Sequence, residues 1–329
     1  MEIVRGVHQL QVPIPDNPLG HLNCYLVEGQ EGWLMVDTGW NTDEAFNSLE
    51  RGVKDLGLNM ADITTIVITH IHPDHFGLAG RIKHISPKTK ILMHQRESNM
   101  IESRYVKMAG LMGEMTATLQ RHGVPPIDLS SLKSASMPAL RFVTVTFPDS
   151  VLCDGEVIST GVYNLEVIWT PGHSPGHVCL YEPNNRLLFA GDHILPSISP
   201  NVSYNVQSGD NPLGDYISAL HKLENLPVAK VLPAHEHIFT DLRGRIREIL
   251  EHHDIRSAEI REAIAHEPHT AWEISSRVTW DNNKAGWEQL PPLQKRLAVM
   301  ETVAHLEYMR LGGRVQEIIK GGYVAYIVK

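Results

Sequence analysis

The sequence predicts an α/β fold with a smaller C-terminal domain, and three observations support this prediction. The first half alternates apolar, β-branched segments with segments of helical periodicity, in the order typical of a sheet packed with helices. Several apolar segments end in histidine or aspartate beside glycine or alanine. The pattern changes beyond residue 240, where two long helical segments precede a hairpin, and 329 residues are enough for two domains.

The elements of the first domain follow from local patterns. Residues 22–29 and 32–39 are almost continuously apolar on either side of a short polar turn, which indicates a β-hairpin. Further strands are expected over residues 62–70, 90–97, 141–148, 155–160, 163–170, 177–183, 186–192 and 228–237. Helices are expected over residues 41–57, 76–86, 212–227 and 241–265. We therefore assign residues 1–240 to the first domain.

An insertion at residues 97–140 interrupts this rhythm. Its first part, residues 97–123, has helical periodicity, and its second part, residues 124–138, is predicted to be a loop. Methionines give the helical part an apolar face; they are Met100, Met108, Met112 and Met115. The insertion either packs on the domain or covers a substrate site, where flexible methionines suit variable apolar ligands.

The C-terminal segment, residues 241–329, is predicted to be a linking helix followed by a winged-helix-like domain. Thr270 and Glu273 have the spacing of a capping box, and Gly321–Gly322 marks the turn of a closing hairpin. From residue 266 onward there are eight Lys or Arg and seven Asp or Glu, so the basic face of a DNA-binding domain is missing. We expect a module for packing or for dimerisation, and the second of these would make the protein a homodimer.

Composition limits the partners and the location. The net charge of −9 disfavours nucleic acid as a partner without excluding a local basic patch. No apolar run reaches the 18 residues of a membrane span, so no membrane partner is expected. The N-terminus lacks the pattern of a secretory signal, and three distant cysteines do not form a disulfide framework. We therefore expect a cytoplasmic protein.

A dense cluster of potential metal ligands follows the strand at residues 62–70. The stretch ITHIHPDHFG contains His70, His72, Asp74 and His75. Three later strand ends carry one further candidate each; they are His173, Asp192 and His235. Strand ends on one edge of a sheet are where α/β proteins build sites. Imidazole and carboxylate ligands without thiolate suit Zn²⁺, Fe or Mn²⁺.

Five histidines and two aspartates are too many for one tetrahedral ion and about right for two. We assign one ion to His70, His72 and His173. We assign the other to Asp74, His75 and His235, with Asp192 as a bridge. Two ions would hold a bridging water and lower its pKa to about 7, which gives a nucleophilic hydroxide that Asp74 orients. His177, His193 and His237 lie beside these residues and are interpreted as neighbours, not ligands.

The loop after Asp192 supplies one candidate for substrate contact. Tyr204 in this loop either donates a hydrogen bond to a developing oxyanion or simply packs on the loop.

The motifs together resemble those of the metallo-β-lactamase-fold hydrolases. They are THIHPDH at 69–75, TPGH at 170–173, GD at 191–192 and PAH at 233–235. VDTG at 36–39 resembles the family's first motif, whose aspartate supports the metal loops without binding metal. The resemblance covers residues 1 to about 240, and it implies a four-layer αβ/βα sandwich with the dinuclear site assigned above. The C-terminal segment resembles the winged-helix extension of a subgroup that includes endoribonucleases and acyl thioester hydrolases.

The resemblance leaves several reactions open. We expect hydrolysis of a small-molecule acyl substrate, a thioester or another acyl ester or lactone, with Zn²⁺ as the first choice of metal. An endoribonuclease or phosphodiesterase is the alternative that the winged segment suggests, although a dense basic track is missing. An iron-dependent oxygenase is the third, since persulfide dioxygenases share HxHxDH. His72 stands where diiron flavoproteins of this fold have glutamate, which favours hydrolysis over diiron redox chemistry.

Overall fold

The structure, a computed structural model, describes residues 1–135, 137–280 and 286–329. Its larger part contains two β-sheets with strand orders β1-β2-β3-β4-β5-β6-β7 and β12-β11-β10-β9-β8. The strands of the first sheet are β1 Glu2–Val4, β2 Val7–Pro13, β3 His21–Gly29, β4 Gly32–Val36, β5 Ile63–Ile68, β6 Lys90–His94 and β7 Ser150–Leu152. Those of the second are β8 Val157–Ser159, β9 Asn164–Trp169, β10 Val178–Glu182, β11 Leu187–Gly191 and β12 Lys230–Pro233.

The two sheets face each other and carry helices on their outer faces. In β5, Val67 points into the core between the sheets, whereas Ile66 and Ile68 point into the core under the helices. This alternation follows from the two-residue period of a strand, and it requires apolar residues at every position of a strand covered on both faces. The result is four layers in the order helix, sheet, sheet, helix.

The helices of the outer layers are close to their predicted positions. The first sheet is covered by α1 Asp43–Asp55, the short turn α2 Pro73–Phe76 and α3 Ala79–Ile85. The second is covered by α8 Pro212–Glu224 and α9 Leu242–Ala263. Thr42 begins α1, because its hydroxyl accepts a hydrogen bond from Ala45 N at 3.1 Å.

The strands that lead to the candidate ligands end at a common edge. β4, β5 and β6 are parallel to one another, and β11 is parallel to β12. β9 runs in the same direction as β11, because each is antiparallel to β10 between them. The segments after β5, β9, β11 and β12 therefore meet where the two sheets open on the same side.

The insertion is more helical than the sequence suggests. It contains α4 Gln95–Ser98, a π-helical turn Glu102–Val106, α5 Met108–Arg121, α6 Pro126–Ser134 and α7 Met137–Leu140. The prediction of a loop over residues 124–138 is wrong for residues 126–134, which form α6, and residue 136 lies outside the described residues. Pro126 takes the first helical position, where its missing N–H costs nothing. Leu132 is buried on the inner side of α6 and ties the helix to the protein core.

The strand predicted over residues 141–148 is also wrong, since the regular pairing lies further on, in β7. Phe142 instead stacks on Trp40 with ring centroids 4.5 Å apart, and its carbonyl accepts a hydrogen bond from Asn41 N. Thr144 N donates to Gly77 O. These contacts hold the segment as an extended link over the end of the sheet.

The C-terminal segment continues from α9 with a small sheet and two helices. Its elements are β13 His269–Thr270, α10 Ala271–Ser275, α11 Pro292–Leu311, β14 Val315–Lys320 and β15 Tyr323–Val328, and the strand order is β13-β15-β14. The capping box of Thr270 and Glu273 is confirmed, as is the hairpin that turns at Gly321–Gly322.

The insertion and the C-terminal segment share one hydrophobic core. Leu119 and Leu132 of the insertion pack in the same cluster as Ile260 of α9, Val303 of α11 and Tyr326 of β15. The insertion is thus held from two sides, by its own chain connections to the sheet and by this core. No helix among the described residues is both long and apolar enough to cross a membrane.

Candidate metal centre

All seven residues predicted as ligands come together at the common edge of the sheets. They form two groups, and within each group one potential ligand atom per residue lies within 4.8 Å of the others. The first group is His70, His72, His173 and Asp192, and the second is Asp74, His75 and His235. The grouping agrees with the assignment made from the sequence, with Asp192 counted in the first group.

The first group has the spacing of a metal site. Nδ1 of His72 lies 2.9 Å from Nε2 of His70 and 3.1 Å from Nε2 of His173. Nitrogens bound to a tetrahedral zinc ion at about 2.0–2.1 Å are roughly 3.3 Å apart. One proton cannot serve three nitrogens that converge in this way, whereas one cation can.

The second group and Asp192 complete the arrangement. Nε2 of His235 lies 3.3 Å from Oδ2 of Asp74, and Nε2 of His75 lies 3.7 Å from the same oxygen. The Asp192 carboxylate lies between the groups, with Oδ1 3.4 Å from Nε2 of His235 and Oδ2 3.6 Å from Nε2 of His173. It is therefore placed where a bridging ligand would be.

Three of these ligand atoms are buried without a hydrogen-bond partner among the described residues. They are Nε2 of His75, Nε2 of His235 and Oδ1 of Asp192. A buried polar atom without a partner costs about 1–3 kcal/mol, so such atoms rarely persist side by side unless something satisfies them. A cation between them does so for nitrogen and oxygen alike, and the donor set fits a divalent metal.

A short helical turn explains how adjacent residues reach two groups. The sequence predicts that the helix after β5 begins near Phe76, but α2 already begins at Pro73. His70 and His72 therefore precede the turn, with His72 in extended backbone at its N-cap, whereas Asp74 and His75 are on it. Helical and extended residues project differently, which directs the two pairs to opposite sides of the site.

The family to which the chain belongs is identified from its first 235 residues. The model of the metallo-beta-lactamase superfamily matches residues 18–235, which include all seven candidate ligands. The chain belongs to the metallo-beta-lactamase superfamily. Together with the cluster of potential ligands, this membership makes it a metal-dependent hydrolase.

Known proteins of the superfamily extend the match over the whole chain. The chain is 24% identical over 324 residues to "Probable metallo-hydrolase YqjP" of Bacillus subtilis, which covers 96% of each protein. It is 27% identical over 230 residues to "Acyl-coenzyme A thioesterase MBLAC2" of Gallus gallus, covering 66% of this chain and 73% of that one. A solved metallo-beta-lactamase family protein from Thermus thermophilus is similar over 100% of both chains, with 30% identity and a TM-score of 0.85.

Backbone carbonyl groups orient two of the candidate ligand histidines. Nδ1–H of His173 donates to Asn201 O at 2.8 Å, and Nδ1–H of His235 donates to His21 O at 2.9 Å. A proton held on Nδ1 leaves the lone pair of Nε2 directed into the site. Such outer contacts fix the tautomer and orientation that a ligand histidine needs.

Asp37 of the VDTG motif orients a third histidine and lies outside both groups. Its Oδ2 accepts a hydrogen bond from Nδ1 of His75 at 2.8 Å and from Oγ1 of Thr69 at 2.8 Å. Its Oδ1 accepts from Thr69 N, also at 2.8 Å. The carboxylate is buried and holds the end of β5 against the His75 turn, the supporting position that the resemblance implies for it.

Glu97 is a structural residue of the site that the sequence analysis missed. It is fully buried, and its carboxylate accepts hydrogen bonds from Ile71 N at 2.8 Å, Ser174 Oγ at 2.6 Å and Gly176 N at 2.6 Å. Ile71 lies between two ligands of one loop, and Ser174 follows His173 in another. Glu97 therefore joins the two loops that carry the three histidines of the first group.

The neighbouring histidines are not in either group. Nε2 of His177 accepts a hydrogen bond from Asp192 N at 3.1 Å, and its Nδ1 pairs with Thr170 Oγ1 at 2.8 Å. Both ring nitrogens are thus used in fixing the Asp192 loop. His193 is buried against Tyr216, whose hydroxyl donates to the His193 carbonyl.

The protonation states of His70, His72 and Asp74 suit metal binding. Burial, reinforced by the neighbouring imidazoles, lowers the pKa values of His70 and His72 well below the usual range, so both are neutral and offer lone pairs. Burial alone would raise the pKa of Asp74, but His75 and His235 lower it to about 2. His70, His72 and Asp74 are therefore in their metal-binding forms at neutral pH. Burial alone would lower the pKa values of His75 and His235, but nearby carboxylates, Asp192 first, raise them, so a metal that binds there displaces a proton from each ring.

A cavity of about 250 Å³ lies beside the first group. His72 and His173 form part of its wall, and so does Tyr204, the residue predicted for substrate contact. Seven large apolar side chains of α5, α7 and α11 also line the cavity; these are Met108, Leu111, Met112, Met115, Leu140, Leu297 and Met300. The insertion thus lines the space next to the site, as a substrate-covering element would.

Proposed function

We propose that this metal-dependent hydrolase cleaves acyl thioesters. The observation that carries the proposal is the apolar cavity, whose wall includes two residues of the first ligand group. An acyl chain is the kind of substrate portion that methionine and leucine side chains accommodate. Similarity to a protein described as an acyl-coenzyme A thioesterase supports the same substrate class.

The proposed cofactor is a pair of divalent ions, with Zn²⁺ preferred for the histidine-rich donor set. His70, His72 and His173 would hold one ion and Asp74, His75 and His235 the other, with Asp192 shared between them. Such ions would supply a water of low pKa and would polarise the carbonyl to be attacked. The chain orients these ligands through Asp37, Glu97 and the carbonyls around the site.

Two side chains have proposed roles in the reaction itself. Asp74 would orient the attacking water, because its carboxylate lies at the edge of the second group and its low pKa keeps it ionised. Tyr204 would donate its hydroxyl to the oxyanion that forms from the acyl carbonyl, because it lines the same cavity as His72 and His173.

His70→Ala tests the proposal directly. This variant is expected to lose bound metal and at least about 1,000-fold of kcat/KM towards thioesters, because the attacking water loses its activating site. Metal analysis and a substrate panel of acyl thioesters, a lactone, a phosphodiester and RNA provide the measurement. His84→Ala, at an exposed position of α3, is the matched control and should behave as wild type.

Two outcomes would contradict the proposal. Cleavage of RNA without hydrolysis of any thioester would assign the site to phosphodiester chemistry. Wild-type turnover by metal-analysed His70→Ala would show that the ligand assignment is wrong.

A further inference from the structure

One positively charged side chain faces the apolar cavity beside the ligand group. Arg104 lies on the π-helical turn Glu102–Val106 and lines the cavity together with His72 and Met108. π-helical turns are rare, and they occur frequently at functional sites. The position of Arg104 places a guanidinium within the space proposed for the substrate.

No acidic side chain among the described residues forms an ion pair with Arg104, although its charge acts on the buried carboxylate of Glu97, whose pKa it lowers against the effect of burial. No aspartate or glutamate is among the described residues that line the cavity. Glu102, on the same turn, is instead 2.6 Å from Nζ of Lys107. Within the described ranges, no carboxylate lies within ion-pair distance of Arg104. In a chain with net charge −9, an arginine in a site wall without an ion-pair partner in the described part of the chain is unusual.

A second guanidinium lines the same cavity. Arg296 of α11 approaches Met115, with Nη1 3.5 Å from Sδ. Burial, and then the charge of Arg104, lowers the pKa of Arg296 to about 10. Arg296 is therefore still protonated at neutral pH, and the two like charges are close enough to repel each other. An anion bound in the cavity would relieve this repulsion.

Two polar side chains that line the same cavity, Tyr105 and Gln207, donate their hydrogen bonds to other groups, although Oε1 of Gln207 has no hydrogen-bond partner among the described residues. The hydroxyl of Tyr105 donates to Ile71 O, and Nε2 of Gln207 donates to Ser103 Oγ at 2.9 Å. Neither of these two contacts uses the guanidinium. Arginine presents a planar fork of N–H donors that matches a carboxylate or phosphate group.

We propose that the substrate carries an anionic group, a carboxylate or a phosphate, and that Arg104 binds it. The apolar portion of the same substrate then lies along Met108 and Met112 of α5. The inference rests on the proposed function for the bond that is cleaved, but anion binding is a separate property of the cavity. Arg104 would be a specificity-determining residue that touches the substrate away from its reacting carbonyl.

Binding of amide analogues tests this property without turnover. The probes are N-decanoyl-β-alanine, which is anionic, and N-decanoyl-β-alaninamide, which is neutral and otherwise matched. Calorimetry on the metal-loaded protein should show at least about tenfold tighter binding of the anion, as expected for a charge-assisted contact. Arg104→Gln should remove this preference and leave affinity for the neutral probe within about threefold.

A matched control separates local contact from overall charge. Arg51→Gln makes the same change at an exposed position of α1 outside the cavity, and it should keep the wild-type preference. The inference is overturned if Arg104→Gln prefers the anion as wild type does. It is equally overturned if wild type shows no preference, a result that does not depend on how the variant folds.

A kinetic arm locates the anionic group on the substrate. The neutral reference is the decanoyl thioester of N-acetylcysteamine. It is compared with the decanoyl thioester of 3-mercaptopropionate and with the ω-carboxynonanoyl thioester of N-acetylcysteamine. A higher kcat/KM for one anionic thioester, lost in Arg104→Gln mainly through KM, places the anion on that side of the sulfur.

The kinetic and binding arms distinguish the two proposals. Hydrolysis of all three thioesters at equal kcat/KM would overturn the inference and leave the proposed function standing. Absence of thioester hydrolysis, with the anionic amide still preferred through Arg104, would overturn the proposed function and support anion binding.

Discussion

At the scale of single residues, Asp37 shows how a carboxylate outside the ligand groups fixes which ring nitrogen of a ligand histidine, His75, carries the proton. Its backbone has φ of 58°, a strained value for a residue other than glycine. The carboxylate accepts three hydrogen bonds from His75 and Thr69, and these bonds hold the strained backbone in place. Nδ1 of His75 keeps its proton only while it faces an acceptor.

Asp37→Asn should move the proton of the His75 ring from Nδ1 to Nε2. An amide that turns its N–H₂ towards His75 would favour the tautomer with the proton on Nε2, which removes the lone pair needed by a metal. We expect metal affinity to fall about 10–100-fold with the fold retained, because outer-shell changes have effects of this size. Chelator competition followed by metal analysis measures the affinity, and thermal unfolding checks the fold.

Asp43→Asn is the control for Asp37→Asn, because the Asp43 side chain is 85% exposed and pairs only with Arg81 among the described residues. It removes one carboxylate near the start of α1 without touching the site. Unchanged metal affinity in Asp37→Asn would show that His75 is not positioned through this hydrogen bond.

The candidate ligands could be predicted from the sequence because each sits in a short motif at the end of an apolar strand. The residues that orient them could not. Glu97 is 26 residues from Ile71 and 77 from Ser174, and nothing near it in sequence indicates a buried carboxylate. Asn201 contributes through its backbone carbonyl, which any residue type could supply.

At the scale of elements, the long helices and most strands were predicted, whereas β1, β2, β7 and α6 were not. The segment VPPIDLSSLKS has two prolines and four serines or aspartates, the composition of a loop. Proline is nevertheless compatible with the first turn of a helix, and Leu129 and Leu132 are spaced to face one side. What stabilises these residues as a helix is their packing on the C-terminal segment, which is distant in sequence.

Leu132→Ala tests whether α6 belongs to this core. Leu132 is 1% exposed, so removing its side chain leaves a cavity in the core shared by the insertion and the C-terminal segment. The free energy of unfolding should fall by about 2–5 kcal/mol. Urea denaturation followed by circular dichroism measures it.

Ile127→Ala on the same helix is the matched control, because Ile127 is 88% exposed. Its free energy of unfolding should stay within about 0.5 kcal/mol of wild type. Equal effects of the two substitutions would mean that α6 does not pack as described.

At the scale of the whole molecule, the C-terminal segment contributes to the site as well as to stability. A boundary at residue 240 remains a prediction, but contacts across it are extensive. Leu297 and Met300 of α11 line the cavity, and Tyr204 N donates to Met300 O. Ala304 of the same helix packs with the helices that cover the second sheet. α11 therefore contacts the insertion, the cavity and the catalytic layers together.

Glu301 of α11 is connected to the candidate ligand His173 through a single residue, Asn201. Oε2 of Glu301 accepts a hydrogen bond from Nδ2 of Asn201 at 2.7 Å, and the carbonyl of Asn201 accepts one from Nδ1 of His173. Burial raises the pKa of Glu301 to about 7. The C-terminal segment thus restrains the loop that orients His173.

Glu301→Ala should weaken metal binding by about tenfold although Glu301 is not a candidate ligand, because His173 loses a fixed partner for its Nδ1–H. Glu301→Gln should behave almost as wild type, since the amide oxygen still accepts from Asn201. Glu288→Ala removes a carboxylate that is 90% exposed in the same segment, and it should have no effect. Chelator competition on the three variants measures the change. If Glu301→Ala retained full affinity, the C-terminal segment would support the cavity wall without restraining the metal centre.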